Sequence, residues 1–254
     1  MQKSFLLLLA AVSCLPILLF GQDDEMPDAI RALIDSTLRT RLRSKCEIDG
    51  FVNIDAELAR ASSTQRTHAG IFNFNDRSFE DPYGTLTHCT IFTYNRVHPL
   101  MFAEDRQSIG IFKDNQVIAL LDTAISTVAS SNGRIKKVCD LNKDGEVDIV
   151  LMRALGVSPP PWEGFSIFSW NGVRLRAINA LTPDNFRESV IIAPWDFMEF
   201  IDTDGDGIYE LTTSFEDENG IERYHTYSWN GTLYGEWGQS SKALLEHSSR
   251  NRSK

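Results

Sequence analysis

The sequence predicts a mainly β protein, built from short strands grouped into four-stranded repeats and preceded by one amphipathic helix. Three observations lead there. Eleven segments rich in branched and aromatic residues, from "GIFNF" at residue 70 to "RYHTYSW" ending at Trp229, are each bounded by Gly, Asn, Asp or Pro. Two acidic loops, "DLNKDGEVD" beginning at Asp140 and "DTDGDGIYE" beginning at Asp202, share one pattern sixty-two residues apart. Two Ser-Trp-Asn-Gly steps follow them, with Trp170 and Trp229 fifty-nine residues apart. With 254 residues and 42% apolar composition, the chain can bury a sizeable core.

Residues 1–21 read as a secretory signal peptide. Lys3 is followed by an apolar run from Phe5 to Phe20, broken only by Ser13, Cys14 and Pro16, and polarity begins abruptly at "GQDDE". The run is sixteen residues, short of the roughly twenty needed to span a bilayer. Cleavage after Gly21 is expected, giving a secreted or periplasmic protein with no membrane span once the leader is removed. "AVSC" ending at Cys14 resembles a lipoprotein processing site, but the apolar run continues past it.

Residues 22–45 form the N-terminal helical segment. Ile30, Leu33, Ile34, Leu38 and Leu42 recur at three- and four-residue steps after a start at Pro27 and Asp28. Arg31, Arg39, Arg41, Arg43 and Lys45 lie on the polar face, read as solvated.

Residues 46–133 form a divergent β region, in which "KDNQ" at Lys113 reads as a hairpin turn. Residues 134–254 hold two copies of one unit: strand, acidic loop, strand, variable connection, strand ending in Ser-Trp-Asn-Gly, final strand. "CTIFTYNR" at Cys89 echoes the third strand, which raises the suspicion of a degenerate earlier copy. The Asn-Gly steps after Trp170 and Trp229 permit the positive φ of tight turns.

Cys46, Cys89 and Cys139 remain after the leader, an odd number. One disulfide with a leftover thiol and three small buried apolar residues are both open readings. No CxxC or cysteine–histidine spacing indicates zinc. The chain carries 25 Lys and Arg against 35 Asp and Glu, a net charge of −10. Eight of those carboxylates lie in the two loops, and no basic, aromatic-laced strip accompanies them, which excludes nucleic acid as a partner class.

The loops point to calcium. A hard cation takes about six to eight oxygens, and alternate side chains converge on one point when the backbone coils around it. In the first loop the ligands are Asp140, Asn142, Asp144, the carbonyl of Glu146, and Asp148, with Gly145 allowing the turn. In the second they are Asp202, Asp204, Asp206, the carbonyl of Ile208, and Glu210, with Gly207 in the turn. Two Ca2+ sites are expected, the second tighter because it has one more side-chain carboxylate. An EF-hand begins the same way, but its twelfth position is a bidentate Glu between helices. Here the twelfth positions are Leu151 and Thr213, within strand-like flanks.

These residues resemble the FG-GAP/VCBS repeats of integrin-α-like β-propellers, whose blades open on an acidic D-x-[DN]-x-D-G-x-x-[DE] hairpin. The resemblance covers residues 134–237 and implies calcium held between the first and second strands of a blade, as in secreted or cell-surface proteins. Four strands per unit is what a propeller blade contains. The fold expected is therefore mainly β, a partial or small β-propeller-like array of four-stranded repeats with one N-terminal amphipathic helix.

The function expected is an exported calcium-binding scaffold or interaction module whose partner is an extracellular protein or carbohydrate. The competing class is a secreted polysaccharide-active hydrolase or lyase on the same scaffold. His68, His88, His98, His225 and His247 show no HExxH or HxH spacing, and no Ser lies in GxSxG. Asp76, Glu80 and Asp81 are the carboxylates that remain for a glycosidase pair, in a loop more simply organised by Phe79 and Tyr83. Trp170 and Trp229 are read as packing between blades, and Trp162, after a proline run, as the better candidate for an exposed binding residue.

Overall fold

The computed structural model describes residues 26–63, 71–73, 78–96, 108–122, 134–155, 162–178, 191–194, 198–216, 222–232 and 234–241. The leader, Asp76, His68, His98, His247 and the side chains of Trp162 and His225 lie outside the described residues. The chain is mainly β. Its elements are α1 (Asp28–Leu42), β1 (Cys46–Asn53), α2 (Ile54–Ser63), β2 (Ile71–Asn73), β3 (Ser78–Phe79), β4 (Cys89–Arg96), β5 (Ser108–Lys113), β6 (Gln116–Asp122), β7 (Arg134–Cys139), β8 (Val147–Leu155), β9 (Trp162–Trp170), β10 (Leu175–Ala177), β11 (Ile191–Pro194), β12 (Met198–Ile201), β13 (Glu210–Glu216), β14 (Glu222–Trp229) and β15 (Tyr234–Ser241).

Helix α1 forms where the three/four periodicity places it. Pro27 precedes the first turn and Asp28 faces the helix N-terminus, while Arg43 ends it in the left-handed region with φ 52°. Ile34 and Leu38 are buried, whereas Leu33, expected on the apolar face, is exposed. Arg39, Arg41, Arg43 and Lys45 are exposed, as a solvated face requires.

Three sheets follow. Sheet 1 has the order β1-β4-β5-β6, sheet 2 β10-β9-β8-β7-β3 with β11 also on β9, and sheet 3 β15-β14-β13-β12-β2. All pairings are antiparallel except β3 with β7. Each sheet contains four strands that pair in chain order. "CTIFTYNR" is the second strand of sheet 1, and "IGIF" in β5 holds the third place, the reverse of the sequence echo. The segment between β1 and β4 accounts for the shift. It carries α2, lends β2 to the free edge of β12 and lends β3 to the free edge of β7. Two sheet edges are thereby closed by a distant part of the chain.

The period-2 alternation sorts side chains into three cores. Phe92, Tyr94, Phe112 and Val117 on one face of sheet 1 pack under Ile34 and Leu38 of α1. Ile91, Ile109 and Ile111 on its other face meet Ile149, Leu151, Phe168 and Trp170 of sheet 2. Val150, Met152 and Ile167 on the far face of sheet 2 meet Phe200, Leu211 and Tyr234 of sheet 3. Burial on both faces explains the unbroken buried run from Cys89 to Tyr94. Gly110 lies opposite Phe92 in the register, and the Phe92 ring occupies the space a Cβ there would need, with ring atoms 2.3–2.8 Å from it.

The turns differ in mechanism. Asp114 and Asn115 both take positive φ, 50° and 60°, so "KDNQ" is a two-residue hairpin turn as expected. After Trp170 only Gly172 is left-handed, at 89°. Asn171 instead uses its side-chain Oδ1 to accept the N–H groups of Val173 and Arg174, 3.0 and 2.8 Å away. The same device recurs at Asn230, whose Oδ1 accepts Thr232 N–H at 3.0 Å. Asn-Gly here makes a four-residue loop, because the side chain replaces a backbone acceptor.

Cys46, Cys89 and Cys139 are free thiols, so the buried-apolar reading applies to Cys89 and Cys139 and no disulfide joins them. Burial pushes the Cys89 thiol up to about 11 and the Cys139 thiol up to about 12. An aromatic disulfide reagent added to native protein is expected to label Cys46 and to reach Cys89 and Cys139 only in denaturant. Peptide mapping of the labelled protein reads this, and native labelling of Cys139 would contradict the sheet 2–sheet 3 packing.

Candidate metal centre

The first acidic loop joins β7 to β8 and the second joins β12 to β13, each connecting the first two strands of its sheet. The flanks are strands. Leu151, the twelfth position counted as in an EF-hand, is wholly buried between sheets 1 and 2, so that geometry is excluded.

Both loops use backbone N–H groups in one order. The last carboxylate returns to the second loop residue: Leu141 N–H donates to Asp148 Oδ2 at 2.9 Å, and Thr203 N–H to Glu210 Oε2 at 3.0 Å. Asp144 N–H donates to Asn142 Oδ1 and Asp206 N–H to Asp204 Oδ1, both at 3.1 Å. Gly145 N–H donates to Asp140 Oδ2 at 3.3 Å, and Gly207 N–H to Asp202 Oδ2 at 3.1 Å. Glu146 N–H reaches Asp144 Oδ1 at 2.9 Å, and Ile208 N–H reaches Asp206 Oδ1 at 2.7 Å. Left-handed residues make this coil possible: Lys143 at 55° and Gly145 at 84° in the first loop, Gly205 at 83° and Gly207 at 85° in the second.

The loops also touch. Tyr209 N–H donates to the Leu141 carbonyl at 2.8 Å, and Lys143 of the first loop donates to the Asp206 carbonyl of the second. The ten sequence-derived positions thus lie in two adjacent loops at one end of sheets 2 and 3, but among the described residues only Asp202, Asp204 and Asp206 converge as a carboxylate cluster, whereas Asp140, Asp144 and Asp148 do not.

The donor set suits a hard cation. In the second loop one carboxylate oxygen each from Asp202, Asp204 and Asp206 lie within 4.8 Å of one another. In the first loop Asp148 is fully buried, and its Oδ1 has no hydrogen-bond partner. Asp140 Oδ1 is buried and partnerless too. Burial, with Asp144 and Asp140 adding to it, pushes the Asp148 carboxyl up to about 8 despite the opposing Leu141 N–H. A buried carboxyl oxygen with no donor is accommodated either by keeping its proton or by a countercharge such as a bound cation.

Several participants escaped the sequence reading. Tyr83 Oη donates to Asp140 Oδ2 at 2.5 Å, and that bond is the main cause that pushes the phenol up to about 12. Arg176 of β10 donates to Asp144 Oδ2 and Glu146 Oε2, each at 3.0 Å, and Ser169 donates to Glu146. Burial works against the Glu146 carboxylate, but the Ser169 and Arg176 hydrogen bonds outweigh it and hold Glu146 below its ordinary range. The Ser of "SWNG" was a legible clue, because it recurs. Arg176, thirty residues from Glu146, had no local signal.

The catalytic reading gains nothing among the described residues. Asp81 accepts the N–H groups of Thr85 and Leu86 at 3.1 and 2.8 Å, so its carboxylate shapes a turn. Asp55 likewise holds both the backbone N–H and the ring Nδ1 of His88, at 2.9 and 2.8 Å, and among the described residues no nucleophile is hydrogen-bonded to that ring. Phe79 is buried in the core. Trp170 is buried between sheets 1 and 2, with Nε1 donating to the Thr85 carbonyl at 3.4 Å, and half-buried Trp229 packs at 5.4 Å from Tyr234 between sheets 2 and 3. Trp170 therefore offers no sugar-stacking platform.

Comparison with protein-family models, curated proteins and solved structures finds no match to this chain.

Proposed function

We propose that this chain is an exported calcium-binding β-repeat protein of the FG-GAP/VCBS kind, in which two ions pin the first two strands of sheets 2 and 3 and the array serves as a scaffold or interaction module. The observation that carries the reading is the Asp148 carboxylate, fully buried with a partnerless oxygen, inside a loop whose hydrogen-bonding order is repeated by the second. Asp140, Asn142, Asp144, the Glu146 carbonyl and Asp148 would hold one ion. Asp202, Asp204, Asp206, the Ile208 carbonyl and Glu210 would hold the other. Calcium supplies the charge that lets these carboxylates stay ionised beside one another.

The array is read as open and propeller-like rather than a closed ring. Helix α1 covers the outer face of sheet 1. At the other end, Val150 and Ile167, which fill the sheet 2–sheet 3 core, have Thr212 and Thr226 as their repeat counterparts, and Thr212 is itself buried with a partnerless hydroxyl.

Titration calorimetry tests the ion. The protein is expected to bind calcium with dissociation constants of about 10⁻⁴–10⁻³ M, and Asp206→Ala to abolish the tighter class. Absence of calcium heat in millimolar titrant would remove the proposal. A partner array of extracellular proteins and glycans tests the module: retention without product release supports it, whereas calcium-dependent glycan cleavage supports the hydrolase or lyase class.

A further inference from the structure

We propose that Arg176 is a resident counter-cation of the first loop, one that competes with calcium there, so that the second loop fills first and the first loop only at higher calcium. This rests on the calcium reading above and goes beyond its carboxylate count. The guanidinium forms ion pairs with Asp144 and Glu146, 3.0 Å each, and a further bond to Glu146 through Nε at 3.2 Å. Asp144 is one of the expected side-chain ligands, so metal and guanidinium meet on the same carboxylate. Both partners are half-buried, which lessens solvent screening of the contest.

The arrangement belongs to one copy only. By the repeat offsets, Arg176 corresponds to Gly235, Glu146 to Ile208 and Ser169 to Ser228. Glu146, Ser169 and Arg176 are bonded together in the first copy, whereas Ser228 Oγ is buried with no partner in the second. Lys143 does not restore the balance. It donates to the Asp206 carbonyl oxygen, outside the expected ligand set, and among the described residues no cation pairs with the three clustered carboxylates of that loop.

Arginine does not complete the first loop. Its bonds end at Asp144 and Glu146, and Asp148, fully buried, keeps a partnerless Oδ1, as does Asp140. The floor of the loop therefore still presents oxygens to a cation while its rim is already neutralised. An incoming divalent ion meets a fixed positive charge a few ångströms away, enough to weaken binding by at least about tenfold.

The test measures calcium ions alone by calorimetry on the wild-type chain, Asp206→Ala, and Asp206→Ala combined with Arg176→Gln. The wild type is expected to show two classes of site, and the double variant to bind at least about tenfold more tightly than Asp206→Ala alone. If the wild type binds calcium yet the two variants bind it equally, the arginine proposal is overturned and the calcium reading stands. If the wild type binds none, the calcium reading itself falls. Should the double variant not fold, Arg176→Gln alone decides: a tighter weak class than in the wild type supports the proposal, and an unchanged weak class overturns it.

Discussion

Trp170→Ala lowers the thermal midpoint by roughly 10 °C, about twice the loss expected for Trp229→Ala. Trp170 is among the largest fully buried side chains, 1% exposed, at the end of β9 where sheets 1 and 2 meet. Its removal opens a cavity bounded by rigid strands, and Trp→Ala truncations in such cores cost about 3–5 kcal/mol. A chain of this size loses roughly 2–4 °C per kcal/mol. Thr85 also loses the indole N–H that its carbonyl accepts. Trp229 is only half-buried and leans on Tyr234, so less apolar area returns to water when it is cut back. Calorimetric melts of the two variants check the ranking. Equal shifts would mean that the sheet 1–sheet 2 core is not the stronger of the two joints.

The parts of the fold that sequence reveals are those whose partners lie close along the chain. Strands β7 to β10 and β12 to β15 follow one another as neighbours, so period-2 alternation and repeated loops sufficed to place them. Helix α2 was missed although Asn53 caps it, accepting Ala56 N–H at 2.9 Å, with Asp55 and Glu57 in its first turn. Its apolar positions, Ile54 and Leu58, are too few to show a period against the surrounding strands. The β2 strand was legible as "GIFNF", but its place on the edge of β12 was not, and β3, two residues long, pairs with the unpaired edge that β7 offers it. Nothing within "IFN" or "SF" encodes that. The candidate site divides in the same way. Carboxylates at alternate positions are a local code, whereas Arg176 and Tyr83 reach the first loop from 30 or more residues away.

Chelating calcium is expected to lower the melting temperature by about 5 °C relative to protein in several millimolar calcium. A site at ten times its dissociation constant stabilises the folded state by about 1.4 kcal/mol, because unfolded chain does not hold the ligands in place. Most of this is expected from the second loop, where three aspartates converge and no guanidinium pairs with them among the described residues. Magnesium substitutes poorly, since it demands a smaller octahedral shell and sheds water reluctantly. Asp206→Ala separates an ionic from a purely local role. Asp206 Oδ1 accepts Ile208 N–H at 2.7 Å, and loss of that bond alone would lower the midpoint equally with and without calcium. Loss of an ion site lowers only the calcium-loaded midpoint. In chelator the variant is further helped, because deleting one of three crowded carboxylates relieves repulsion with Asp202 and Asp204. The gap between wild type and variant should therefore be wide in calcium and narrow in chelator, and an equal gap in both would leave the second loop as a hydrogen-bonded turn.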